Sequence, residues 1–195
     1  METAILLLRG VNVGGHRKVP MAELRAVCGE IGFAKVRTYL SSGNVVAEVT
    51  QSGSGATAAR EECCAASAAK ALEAALEARF GFPVDVIARQ ADEWGAYLVD
   101  NPFPEQSAAQ PNRVMLLLAN RVPSAGAVEA IRERAGTGEI VHRVRDGIWI
   151  YYAEGAADTK ITPASIDKAV GGPTTSRNWR TVQALHEMAL AGAMS

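Results

Sequence analysis

Three short stretches of the chain gather the residue types that grip anions. The first, RGVNVGGHRKVPM, spans residues 9–21 and brings together Arg9, Asn12, Gly14, Gly15, His16 and Lys18 just before an apparent helix. Backbone N–H groups of a glycine-rich turn at a helix start can cradle a phosphate or carboxylate. Residues 10–17, GVNVGGHR, also match the opening glycine spacing of a nucleotide-binding P-loop. That motif continues with Lys for the phosphates and Ser or Thr for magnesium, and here His16 and Arg17 stand in those places. A nucleoside triphosphatase is disfavoured, whereas a plain anion cradle is not. The competing reading is a loop whose glycines serve only its path and whose basic residues serve only solubility.

The second stretch, TTSRNWRT at 174–181, reads as the start of a helix. Arg177, Arg180 and Thr181 then share a face at spacings of three and four, with Asn178 between them and Thr175 or Ser176 as the cap. Cations are disfavoured at the positive end of a helix, so something negative should compensate. An intramolecular carboxylate would serve, and so would a bound phosphate or carboxylate, which Arg grips bidentately. The third stretch, VRTYLSSGN at 36–44, puts Arg37 and Tyr39 on one face of a strand and Val36, Thr38 and Leu40 on the other. Arg37, Tyr39, Ser42 and Asn44 would line a polar pocket beside the glycine loop, or SSGN is only a turn.

Other chemistry is weaker. His16, His142 and His186 show no metal-ligand spacing, and Cys28, Cys63 and Cys64 suit neither a disulfide framework nor a metal site. IWIYY at 148–152 has the look of an aromatic platform for RNA bases, yet its three rings do not share one strand face, which favours a packed strand. No nucleophile–base pair or cofactor motif stands out, so no catalytic residue and no cofactor is assigned.

Composition bounds these readings. Hydrophobic residues make up 48% and charged residues 21%, a globular balance, and the formal net charge of −1 gives no overall field toward nucleic acid or an anionic membrane. The charge is uneven: residues 1–40 carry six Lys/Arg against three Asp/Glu, residues 41–100 four against nine, and residues 160–195 four against two. The two basic ends would form one patch if they met. Reduced thiols, and an opening apolar run too short for a signal or a membrane span, indicate a soluble cytoplasmic protein without a membrane partner.

The elements that must position these residues follow from periodicity. A buried strand at 3–10, a helix from Met21 to Gly32, a hairpin of KVRTYL and NVVAEV, a loose linker at 51–62, an Ala/Glu-rich helix at 63–81 and a strand at 82–89 give the order β-α-β-β-α-β of a ferredoxin-like sheet. After a short helix at 91–103 come a strand at 112–119, a helix at 124–136, a hairpin turning at Asp146-Gly147, a helix at 163–171 and a last helix from about Trp179. This second run reads β-α-β-β-α, a cryptic repeat of the first. The expected architecture is α+β: two ferredoxin-like subdomains in tandem, 1–90 and 91–195, the second incomplete or modified and carrying a C-terminal helix.

LLRGVNVGGHRKVPMAEL, GFAKVRTYLSSGNVV and TSRNWRTVQAL, taken as a set, resemble the bacterial family known as domain of unknown function 1697, over nearly the whole chain. The resemblance implies two α+β subdomains and no established activity. Its signature positions here include Arg9, Gly10, Asn12, Gly14, Gly15, Arg37, Tyr39, Ser42, Gly43 and Asn44, then Arg177, Asn178, Trp179 and Thr181. The Ala/Ser-rich region at 51–65 departs from it by its length. Three functions remain in play: binding of a small anionic ligand (a nucleotide, phosphorylated metabolite or carboxylate), binding of nucleic acid through the same basic residues, or a purely structural role tying the lobes together.

Overall fold

The computed structural model describes residues 1–50, 64–136, 138–157 and 159–193, so the expected linker at 51–62 lies outside the described residues. The chain forms two compact units, one of Met1–Gly95 with Leu185–Ser195 and one of Ala96–Ala184.

The first unit contains β1 (Glu2–Leu8), α1 (Met21–Glu30), β2 (Ala34–Tyr39), β3 (Asn44–Val49), α2 (Cys64–Phe80) and β4 (Val86–Gln90). Its antiparallel sheet has the strand order β2-β3-β1-β4, the split arrangement of a ferredoxin-like fold. Ala4 through Leu8 on the central strand β1 are buried on both faces, which is why that run is continuously apolar instead of alternating. Leu24, Val27 and Cys28 of α1 and the small-residue face of α2 (Ala65, Ala68, Ala69, Leu72) pack on the sheet against Ala4, Leu6 and Leu8. Each buried leucine contributes roughly 1.5–3 kcal/mol.

Two helices follow, α3 (Ala91–Val99) and α4 (Pro104–Ala109), and then β5 (Val114–Ala119), α5 (Ala125–Arg132), β6 (Glu139–Val144), β7 (Gly147–Tyr152), α6 (Pro163–Val170), β8 (Thr174–Asn178) and α7 (Trp179–Ala193). The second sheet, also antiparallel, runs β6-β7-β5-β8 and repeats the first one position for position. The boundaries between the units fall inside α3 and α7. The second core gathers Val128 and Ile131 of α5, Ile166 and Val170 of α6, and Leu117, Ile148 and Ile150 of the sheet. Side-chain caps mark the helix starts: Ser124 accepts from the Ala127 amide, and Thr162 from that of Ser165. Among the described residues no helix is long and apolar enough to cross a membrane.

Both ferredoxin-like subdomains expected from the periodicity are present, and three local readings need correction. Thr174–Asn178 is strand β8, which completes the second sheet, and not the beginning of the last helix. The second hairpin turns at Arg145-Asp146, because Val144 pairs with Gly147; Gly147 is kept in the strand, where a β-carbon would lie 2.9 Å from Leu116 Cδ1. Leu40, expected within β2 on the face of Val36 and Thr38, sits beyond the strand end with φ +55° and is exposed.

Two outcomes follow from this packing. Gly43 combines φ +76° with a missing β-carbon that would lie 2.6 Å from Leu8 Cβ and 2.8 Å from Val11 Cγ2. Gly43→Ala should lower the unfolding free energy by about 2–4 kcal/mol in urea titrations, whereas Gly15→Ala, strained but in open space, should cost only about 1 kcal/mol. Burial raises the Cys28 thiol to about 12; burial, with the Glu139 charge, raises Tyr152 to about 12. Both groups stay protonated in the fold while the unfolded chain ionises, so their contribution is whole below pH 9 and is lost between about pH 9 and 12. Stability measured by denaturant at stepped pH should fall by up to about 1.4 kcal/mol per unit from each group, and Cys28→Val should flatten the first part of that decline.

Candidate functional site

The glycine loop is a miniature β-hairpin. Val13 and His16 bridge across Gly14 and Gly15, whose φ values of +58° and +79° suit a two-residue turn with both central residues left-handed. The His16 amide donates to the Val13 carbonyl (3.1 Å), and one rung below the Asn12 amide donates to that of Arg17 (3.1 Å). Those amides face the loop itself, where a phosphate cradle would aim them outward. Asn12 closes the base: Nδ2 donates to the carbonyls of Val19 (2.9 Å) and Ser41 (2.7 Å), and Oδ1 accepts the Val19 amide (2.8 Å). Arg9 pairs with Asp85 at 3.3 Å. Arg17 donates to the Pro83 carbonyl (2.9 Å) with its guanidinium over the Phe82 ring. His16 beside the tip and Lys18 past the lower rung are exposed, and neither side chain has a hydrogen-bonding or ionic partner among the described residues.

The SSGN turn meets this loop through backbone-directed bonds. Leu8 donates its amide to the Gly43 carbonyl (2.8 Å), beside the Asn12–Ser41 link. Asn44 is fully buried, and its Nδ2 donates to the Tyr39 carbonyl (2.7 Å) and to Ser42 Oγ (3.0 Å). Arg37 reaches the last turn of α7, where a β-carbon on Gly192 would overlap its guanidinium. A cation is favoured at that end of a helix. Tyr39 is half-buried on β2.

At the other end of the chain the four predicted residues separate. Arg177 lies on β8 opposite Leu116 and does not share a helix face with Arg180 and Thr181. It is 8% exposed, and Nη1 donates to Thr175 Oγ1 (2.7 Å) and the Ser176 carbonyl (2.8 Å). Burial lowers its guanidinium to about 10, a cost on the order of 3 kcal/mol at any lower pH. The helix cap is Asn178, whose Oδ1 accepts the Thr181 amide (3.0 Å), in place of Thr175 or Ser176. Thr181 is buried behind it.

Arg180 differs from all of these. It is exposed, its side chain has no partner among the described residues, and with Trp179 and Gln183 it walls an open cavity of about 470 Å³ in the second unit. The end of α3 supplies Leu98 and Val99, α4 supplies Pro104, Ser107 and Ala108, and Asn101 and Pro111 complete the lining. The wall holds no carboxylate. Trp179 is fixed by its amide, which donates to the Pro111 carbonyl (3.1 Å), and by the Trp149 ring at 5.8 Å. Another cavity, of about 420 Å³ in the first unit, is lined by Glu2, Thr3, Gln90, Ala91, Asp92 and the α7 residues Ala189 and Leu190. Two acids and no base make that one a poor seat for an anion. Of the residues lining the larger cavity, the sequence marks Arg180 as a site candidate and Trp179 as a signature position, and singles out none of the others. Among the described residues no group of three His, Cys, Asp or Glu could hold a metal ion.

Residues 1–149 match the model of a family described as a protein of unknown function, DUF1697. The chain belongs to the DUF1697 family. A solved structure, that of the conserved bacterial protein SP0830 from Streptococcus pneumoniae, is similar in fold: TM-score 0.67 at 21% identity, over 96% of this chain and 98% of that one. No curated protein matches the chain. For DUF1697, the matched region takes in the glycine hairpin and the SSGN turn and stops short of β8 and α7.

The contrast between the two arginines is measurable. Arg177→Ala should cost about 2–3 kcal/mol in urea unfolding, because the stem leaves a cavity. Arg177→Met, which keeps the stem and removes a buried charge, should recover most of that loss. If Met is as damaging as Ala, the guanidinium's hydrogen bonds hold this strand.

Proposed function

We propose that this protein binds a small anionic ligand in the cavity at the start of α7. One observation carries the reading: Arg180 stands in the cavity wall with no carboxylate beside it and no partner among the described residues. A guanidinium close to the positive end of a 15-residue helix is unfavourable until an anion meets it. The sequence assigned a wider site, from Arg9 to Thr181. The engaged side chains of Asn12, Asn44 and Arg177 support shifting the weight to Arg180. A cytoplasmic setting fits the free, buried thiol of Cys28.

The test is a thermal-shift series with inorganic phosphate, nucleoside monophosphates and small carboxylates on the full chain. At a concentration about 100 times Kd, linkage adds about 2.7 kcal/mol, a rise in Tm of roughly 5–10 °C for a chain of this size. Arg180→Ala should abolish the rise while leaving the unliganded Tm within about 2 °C. If no anion produces an Arg180-dependent shift, the proposal fails.

A further inference from the structure

We infer that the ligand of this cavity is a monocarboxylate carrying a flat apolar ring; the inference rests on the anion-binding reading above and narrows it. The charge of the wall comes first. Arg180 is its single cation, and the remaining side chains are neutral. One guanidinium matches one carboxylate through two parallel N–H···O bonds. A nucleotide or sugar phosphate brings two or more negative charges, and the wall offers no second cation to pair the surplus.

The polar groups of the wall argue the same way. Asn101 Nδ2 donates to Ser107 Oγ (2.7 Å), and Asn101 Oδ1 accepts the Phe103 amide (2.9 Å), so this pair is engaged in holding α4. The amides of Trp179 and Thr181 are bonded as well, to the Pro111 carbonyl and to Asn178 Oδ1. Among the neutral polar side chains of the wall, the exposed Gln183 amide is the one left for a ribose or polyol without disturbing the Asn101–Ser107 bond. The apolar part of the wall includes flat rings. Trp179 is held from one side by Trp149 and remains part of the lining, with Pro104 and Pro111 in the same wall. Ring–ring contact of that kind adds about 0.5–1.5 kcal/mol beyond area burial. Gln183 lies three residues after Arg180 on α7, close enough along the helix to serve the same carboxylate.

Four probes on the full chain decide the matter: indole-3-acetate, its uncharged counterpart indole-3-ethanol, adenosine monophosphate and inorganic phosphate, each titrated by calorimetry and by ¹⁵N NMR. Indole-3-acetate should bind at least tenfold tighter than indole-3-ethanol and should perturb the Arg180 and Gln183 side-chain resonances. Arg180→Gln should bring the acid down to the affinity of the alcohol. Val99→Asp, at a wall position 84% exposed, should weaken the acid about tenfold more than it weakens the alcohol. Equal binding of acid and alcohol would overturn the inference. Tighter, Arg180-dependent binding of adenosine monophosphate or phosphate would also overturn it while leaving the anion-binding reading intact. No binding of any probe would remove both.

Discussion

The backbone of Gly43 lies against Leu8 so closely that no other residue fits, and its carbonyl accepts the Leu8 amide at 2.8 Å. This contact joins the end of the central strand to the start of β3, and the rest of that end of the first unit is built on it. With Gly43 in place, Ser41 presents its carbonyl to Asn12, Asn12 holds Val19 at the entry to α1, and Asn44 ties the turn to Tyr39. The second unit repeats the device. Gly147 opens β7 as Gly43 precedes β3, and a β-carbon there would meet Leu116 on the central strand β5. In both sheets the third strand approaches the central one at a residue without a side chain, and the leucines of that strand fill the space.

A motif rich in Gly, Asn and Arg resembles an anion site for a physical reason. The groups that would clasp a phosphate, namely side-chain amides, guanidinium N–H and backbone N–H in left-handed turns, are the same groups that tie a loop to its neighbours. Sequence supplies the donors and not their acceptors. Here the acceptors are the carbonyls of Val19, Ser41, Tyr39 and Pro83, main-chain atoms that every sequence has and no pattern reveals. The glycine pair of residues 14 and 15 was legible as a turn and also as a cradle; the two successive rungs beneath it, Val13–His16 and Asn12–Arg17, give it the geometry of a hairpin turn.

The same limit explains which elements were legible. β1, β3 and β7 advertise themselves through buried Val, Ile and Leu, and α2 through its alanines. TTSRN carries no apolar alternation, because β8 is an edge strand whose buried inward residues are Thr175 and Arg177. Nothing short of the partner strand β5 marks it as a strand. α4 is six residues long, too short for a period to show, and is held by a proline start and the Asn101–Ser107 bond. At the second hairpin the Asp-Gly pair gave a strong turn signal, yet Gly147 was needed beside Leu116, so Arg145 takes the positive φ of +56° in its place.

Arg177 and Arg180, three residues apart, show how far local sequence can mislead about charge. Read as one helix face they form a pair; a strand-to-helix change at Asn178–Trp179 sends them to different environments. Arg177 goes into the sheet, where burial depresses its pKa to about 10 and its donors are turned onto Thr175 and Ser176. A guanidinium held that way already directs Nη1 to internal acceptors, and an anion reaching it would have to be desolvated with it. Arg180 keeps its solvent and stands by an open cavity, so an anion that meets it gains a charge-assisted contact without first displacing an internal partner. An arginine's capacity to bind therefore depends on what already accepts from it. That property belongs to the fold around Asn178, where a change from strand to helix separates two arginines that the sequence reads as a pair.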